Sequence, residues 1–223
     1  MNRQSNDNTD SVKKKDFWYP LAICILLTQW FINVTMKKII PTVLSILLLS
    51  ACASNEPTHI ALNPTLGAVS LHTNNDTAIS FEMVDTRSKN FIVQFDQAPK
   101  PPRLVSASEP VRVQLDALFR AGMRKAGYVI DPAANKQVQF QLEYLLTDVT
   151  DNTMNYEAKT RLVINVKATN SRQEFTKSFS GNGYLKGAFS PDFATLELDI
   201  NKLIDKLTTE ILNDDELHQF LNN

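Results

Sequence analysis

The chain has 223 residues, 43% of them hydrophobic, with 23 Lys and Arg against 24 Asp and Glu. Setting residues 1–51 aside leaves 17 basic and 21 acidic residues, a net charge of −4, which argues against nucleic acid as a partner because that demands a basic face. Only two cysteines occur, Cys24 and Cys52, so the chain beyond Cys52 has no disulfide to draw on and holds together by packing, which its length permits.

In chain order, residues 1–35 carry Lys13, Lys14 and Lys15 and an apolar run from Phe17 to Ile32 broken by Pro20, Thr28 and Gln29. Two readings exist: an upstream membrane segment, or an over-called start with translation beginning at Met36. The second is preferred, because a secretory signal rarely follows another hydrophobic segment. Residues 36–51 have the plan of such a signal. Lys37 and Lys38 form a basic start, Ile39 to Leu49 is almost wholly apolar, and small residues precede Cys52. The apolar core is too short to span a bilayer comfortably, which takes about 20 residues. Leu49, Ser50, Ala51 and Cys52 resemble the lipobox of bacterial lipoproteins. That resemblance implies a diacylglyceryl thioether on Cys52, cleavage before it and acylation of the new amino terminus. Three acyl chains anchor firmly, where one myristoyl chain is marginal.

Residues 52–76 read as a lipidated, flexible tether, rich in turn-forming and polar residues such as Ser54, Asn55, Pro57 and Asn74, with Ile60 to Leu62 a candidate edge strand. Residues 77–223 read as one domain. Ile79, Phe81 and Met83 alternate with Ser80 and Glu82, and Phe91, Val93 and Phe95 repeat the pattern, so both runs are half-buried strands. Pro99, Pro101 and Pro102 form a stiff connector. Ser108 is placed as the cap of a helix with Pro110 in its first turn; Val111, Leu115, Leu118, Phe119, Met123 and Ala126 share its apolar stripe, and Gly127 ends it. Strands follow. Val138, Phe140, Leu142 and Tyr144 alternate with glutamines and Glu143; Tyr156, Ala158, Leu162, Ile164 and Val166 alternate with Glu157, Lys159, Arg161, Asn165 and Lys167; Phe175 and Phe179 mark a third. Asp151-Asn152 and Asn170-Ser171 are the turns between them. Ser190 and Pro191 are placed at the start of the last long helix, with Phe193, Leu196, Ile200, Leu203, Ile204, Leu207 and Ile211 as its stripe. The expected fold is α+β: an antiparallel meander with two amphipathic helices packed on one face.

The segment from Met36 resembles the YajG family of Gram-negative lipoproteins. The carrying residues are the lipobox, Asp85-Thr86-Arg87, Ala126-Gly127-Tyr128, Gly187-Ala188-Phe189 and Leu217 to Leu221. The resemblance supports the α+β reading and brings no catalytic residues. It also implies export to the outer membrane, since Ala53 rather than Asp follows the cysteine.

The chemistry-bearing residues are sparse. His59, His72 and His218 have no neighbours at metal-ligand spacing and read as surface histidines, so no metal is expected. There is no nucleophile elbow and no phosphate loop. Asp85 and Arg87 leave a strand together and could hold a ligand carboxylate or sugar, although a turn-stabilising pair is the simpler reading. Glu157, Lys159, Arg161, Asn165 and Lys167 project from one strand and could meet a protein or a glycan. The expected function is therefore a non-enzymatic lipoprotein, lipid-anchored in the outer membrane and facing the periplasm, that binds or assembles an envelope partner, with no cofactor beyond the lipid on Cys52. The alternative is a binding module for peptidoglycan fragments or another small molecule, favoured by a pocket of Tyr144, Tyr156 or Tyr184 near Arg87. A hydrolase ranks last.

Overall fold

Three strands of 15 residues each dominate the fold: β6 (Gln137–Asp151), β7 (Asn155–Thr169) and β8 (Glu174–Ala188). The structure, a computed structural model, describes residues 58–223 apart from 75, 76 and 153. The lipobox Leu49, Ser50, Ala51 and Cys52, and residues 1–57 generally, lie outside the described residues. Before β6 come β1 (His59–Ile60), β2 (Ala78–Asp85), β3 (Phe91–Asp96), β4 (Arg103–Ala107), helix α1 (Val111–Lys125) and β5 (Val129–Ile130). Helices α2 (Phe193–Leu212) and α3 (Asp215–Asn222) close the chain.

β6, β7 and β8 pair antiparallel in sequence, as local hairpins must. The second turn is held by Asn170, whose Oδ1 accepts from the backbone N–H groups of Arg172 and Gln173, both at 2.9 Å. The rest of the sheet is not the expected meander. β2 and β3 lie one after the other along the opposite edge of β6, and both run parallel to it: Ser80 pairs Gln137 through to Asp85 with Leu142, then Val93 pairs Thr147 through to Asp96 with Thr150. β1 with β4 and β2 with β5 are also parallel, and β3 with β4 is antiparallel. The cause is connectivity. The chain leaves β3, passes through β4 and α1, and returns to the end of the sheet from which it started, so β6 runs in the same sense as β2 and β3. Among the described residues the result is an eight-stranded mixed sheet with three helices rather than two.

The N-cap of α1 is Pro110, which has no side-chain cap to offer, and Ser108 does not cap the helix; the Ser108 amide instead donates to the Ile60 carbonyl at 2.8 Å. Its end is as expected. Gly127 has φ +99°, which suits glycine, and its N–H reaches Arg124 O at 3.0 Å while Tyr128 N–H reaches Met123 O at 3.0 Å, the double bond of a Schellman end. Helix α2 is capped by Asp192, two residues after Ser190: its Oδ1 accepts from Thr195 N–H at 2.7 Å. Ser190 spends its hydroxyl on Asp151 Oδ2 at 2.5 Å.

The helices cover one face of the sheet. Phe119 of α1 stacks on Phe140 of β6 with ring centroids 4.3 Å apart, and both are fully buried. Gly122 lets α1 meet the end of α2 closely, since a Cβ there would fall 2.3 Å from Leu212 Cδ1. One core cluster runs through both helices and the inward residues of every long strand.

The stretch expected to be a loose tether is, from Ala61 onward, laid along α2. The N–H groups of Ala61, Asn63 and Thr65 donate to Glu197 Oε1 (2.7 Å), Asn201 Oδ1 (3.0 Å) and Asp205 Oδ1 (2.7 Å). Alternate N–H groups of an extended chain recur about every 6.6 Å, and residues four apart on a helix about every 6 Å, so the two rows stay in step. Farther along, Asn213 binds both Ser70 N–H (2.9 Å) and the Ala68 carbonyl (2.9 Å).

Candidate functional site

Asp85 ends β2, and the chain then has more residues to place before β3 than β6 has opposite it. Thr86 to Asn90 therefore swing over the sheet. Within this loop Arg87 folds back on Asp85, with Nε on Oδ1 at 2.9 Å and Nη2 on Oδ2 at 2.8 Å, and its backbone N–H donates to Oδ1 at 3.1 Å. Burial pushes the Asp85 carboxyl up, but the hydrogen bonds and charge of Arg87 outweigh it and hold the carboxyl below its ordinary value. The Arg87 side chain is only 8% exposed, and its Nη1 is buried without a hydrogen-bond partner. The cavity beside it, bounded by Lys89, Glu143, Tyr144 and Leu146, measures about 10 Å³, roughly the room of one water. The pair is thus brought together, but chiefly to satisfy itself.

The three tyrosines do not converge there. A bulge in β6 between Leu142 and Tyr144 shifts the strand's phase, so Tyr144 pairs Val163 on the outer face instead of continuing the inward row of Leu142. Its ring takes the Arg161 guanidinium at 5.5 Å. Tyr156 points inward, is 6% exposed, and packs on Gly187 so closely that a Cβ there would lie 2.5 Å from its ring. Tyr184 lies on the outer face of β8 and is exposed.

That outer face carries a row of polar and charged side chains. Lys159 and Arg161 are exposed on it, with Glu157, Asn165 and Lys167 half-exposed in the same row of β7. Neighbouring strands pair with that row: Lys186 Nζ reaches Glu157 Oε1 at 3.2 Å, Asn165 Nδ2 reaches Glu143 Oε2 at 2.6 Å, and Lys167 Nζ reaches Glu174 Oε1 at 3.0 Å. The Lys186 hydrogen bond, followed by that of Tyr184, holds the Glu157 carboxyl below its usual value. Next to the row, Ser80, Glu82, Gln137, Gln139, Lys167 and Thr169 edge a shallow hollow of about 290 Å³. A wider hollow of about 590 Å³ opens among Asp96, Lys100, Asp151 and Ser190.

A buried polar cluster lies between α3 and the extended stretch that runs from Ala61 along α2, the strap. His218, expected at the surface, is 2% exposed. Its Nε2 meets the Leu212 carbonyl at 2.9 Å; a carbonyl only accepts, so Nε2 carries the proton and Nδ1 accepts from the Tyr128 hydroxyl at 2.8 Å. The His72 ring stacks on His218 with centroids 3.6 Å apart. Burial pulls the His218 pKa below its ordinary value; the bond to Leu212 works against this, the neighbouring His72 adds to it, and Asp214 and Asp215 oppose it. Burial pushes Tyr128 up to about 12, against a hydrogen bond with Asn222. The sequence held a signal for this cluster: His218 sits between Leu217 and Leu221 on the apolar stripe of α3, where a solvent-facing residue has no place.

Among the described residues, no three His, Cys, Asp or Glu side chains gather to hold a metal ion, and no helix is long and apolar enough to cross a membrane.

The fold and its surfaces define an α+β domain with one helical layer and one open, polar sheet face. A profile of an uncharacterized lipoprotein family matches residues 64–222, and the chain belongs to this family, that of YajG. It is 22% identical over 187 residues to uncharacterized lipoprotein YajG of Escherichia coli strain K12, covering 83% of this chain and 96% of that one, and the same figures hold for YajG of strain CFT073. Among solved structures it is similar to a protein from Xanthomonas campestris, with a TM-score of 0.48 and 10% identity over 74% of this chain and 98% of that one. Family membership places it among the lipoproteins.

Proposed function

We propose that the chain is held in the outer membrane by lipid on Cys52, faces the periplasm, and works without catalysis by presenting the open sheet face to an envelope protein. The observation that carries this reading is the asymmetry of the sheet. One face is buried under α1 and α2, whereas the other bears ordered, mixed charge from Glu157 to Lys167. Such a face suits a polar interface, in which shape and charge pairing set the partner. The lipobox supports the anchor, and the self-satisfied Asp85–Arg87 pair leaves little for substrate chemistry.

The test has two parts. The mass of the amino-terminal peptide from fractionated membranes should show a triacylated Cys52 in the outer-membrane fraction. A photo-crosslinking residue at Lys159 or Arg161 should then capture one discrete envelope protein that the same residue at Lys206 on α2 does not. An unlipidated peptide beginning at Met1 would overturn the anchor, and equal capture from both faces would overturn the role of the sheet. Were purified muropeptides to bind with perturbation confined to Lys100 and Ser190, the small-molecule alternative would replace this reading.

A further inference from the structure

The outer edge of β8 is long and regular, and its one inward charge, Lys177, is neutralised within the chain by Asp214 and Glu216. Natural sheets protect an edge strand by shortness, proline, a bulge, a mid-strand charge or a covering segment, because its free N–H and C=O groups invite pairing with another chain. β8 has fifteen residues and no proline, and it pairs β7 from Thr169 opposite Glu174 to Asn155 opposite Ala188 without a register shift. Among the described residues no other strand pairs with it. On its outer face nothing charged lies between Glu174 and Lys186. Its third charge, Lys177, is turned to the helical side, on Asp214 at 2.5 Å and Glu216 at 2.9 Å.

We propose that this edge pairs with β8 of a second copy of the chain, antiparallel, in the register centred on Ser180. The choice of occupant rests on self-complementarity. A two-fold axis between the two Ser180 residues puts Glu174 opposite Lys186 of the other copy at both ends of the seam. Within one copy Glu174 already holds Lys167, and Lys186 already holds Glu157. Each end of the seam therefore becomes a row of four charges alternating in sign, Lys167, Glu174, Lys186 and Glu157, the last two from the second copy. On the other face, the half-buried Phe175 meets Leu185. A shift of two residues in either direction separates Glu174 from Lys186 and loses both charge rows. Because opposed residues share a face, both helical layers lie on one side of the joined sheet, and the polar face becomes continuous across two molecules.

The register makes the test specific. In intact cells producing the full chain, a Ser180→Cys variant treated with a short bis-maleimide crosslinker should yield a band of twice the chain mass, since only this residue faces itself across the axis. Glu174→Cys and Lys186→Cys should each stay monomeric alone and crosslink when the two are produced together. The parent chain, which retains Cys24 and Cys52, sets the background. Ser180 is exposed, so the substitution is tolerated by the fold, and labelling by a mono-maleimide confirms that the thiol is accessible. Three results would overturn the proposal: a labelled Ser180→Cys chain that gives no dimer, a stronger dimer from Glu174→Cys alone, or a Ser180→Cys crosslink to a different protein.

Discussion

Replacing His218 by Phe should cost stability at neutral pH and remove part of the chain's sensitivity to acid. The substitution keeps a flat ring against His72, one ring atom larger, and removes both hydrogen-bonding nitrogens. It leaves the Leu212 carbonyl without its N–H donor and the Tyr128 hydroxyl without its acceptor, both in a buried setting. An orphaned buried polar group costs about 1–3 kcal/mol. With both groups orphaned and partly relieved by local relaxation, the expected loss is about 2 kcal/mol, or roughly 4–8 °C in Tm for a domain of this size. The pH dependence has a definite sign. The folded pKa of His218 is depressed, so the unfolded chain takes up the proton more readily. The stability His218 confers is complete above its unfolded pKa of about 6.5 and is lost as pH falls through that value toward the folded pKa, at no more than about 1.4 kcal/mol per pH unit for one proton. Urea unfolding followed by circular dichroism from pH 7.5 to 5 should therefore show the parent and variant curves converging in acid. Since His59 and His72 remain in both proteins, the difference between the curves isolates His218. Curves that stay parallel over this range would refute the assignment of His218 as a buried neutral ring.

Phe119→Ala should lower unfolding free energy by about 3–5 kcal/mol, because it empties a fully buried site stacked on Phe140; denaturant titration measures it. Asp192→Ala should cost about 1 kcal/mol and speed hydrogen exchange at Thr195, whose N–H loses its cap, while the same change at Ser190 leaves that amide protected.

What the sequence revealed and what it hid divide along the range of the interactions. The alternation of β7, the stripe of α1, the stop at Gly127 and the turn at Asn170 are local, and each carries its own chemical reason within a few residues. The parallel pairing of β2 and β3 with β6 depends on a crossover through α1, which no periodicity records. The bulge at Glu143 is a single extra residue in a run that alternates cleanly on either side of it, and it reverses the direction of Tyr144. The strap looked like a tether for a similar reason. Its own residues are polar and turn-forming, and the acceptors that order it, Glu197, Asn201 and Asp205, sit on the polar side of α2, where they read as a solvated face. Asp85 and Arg87 were legible as a pair, but only the geometry shows that the pair closes on itself.

The strap also constrains where any partner can be. His59 already pairs with β4 in the folded domain. If lipid is carried on Cys52, six residues lie between it and the first strand, and the seven Cα-to-Cα steps of an extended chain span at most about 3.3–3.6 Å each, or roughly 25 Å in all. The domain is then held within about its own diameter of the membrane. β1 is the end strand of the sheet, next to β4, and only after it does the chain pass into the strap on α2, so the described chain begins at that edge of the sheet. β4, β3 and β6 stand between that edge and β7, so the described chain begins away from the row from Glu157 to Lys167. The open face is in this way suited to partners close to the membrane and poorly suited to distant ones.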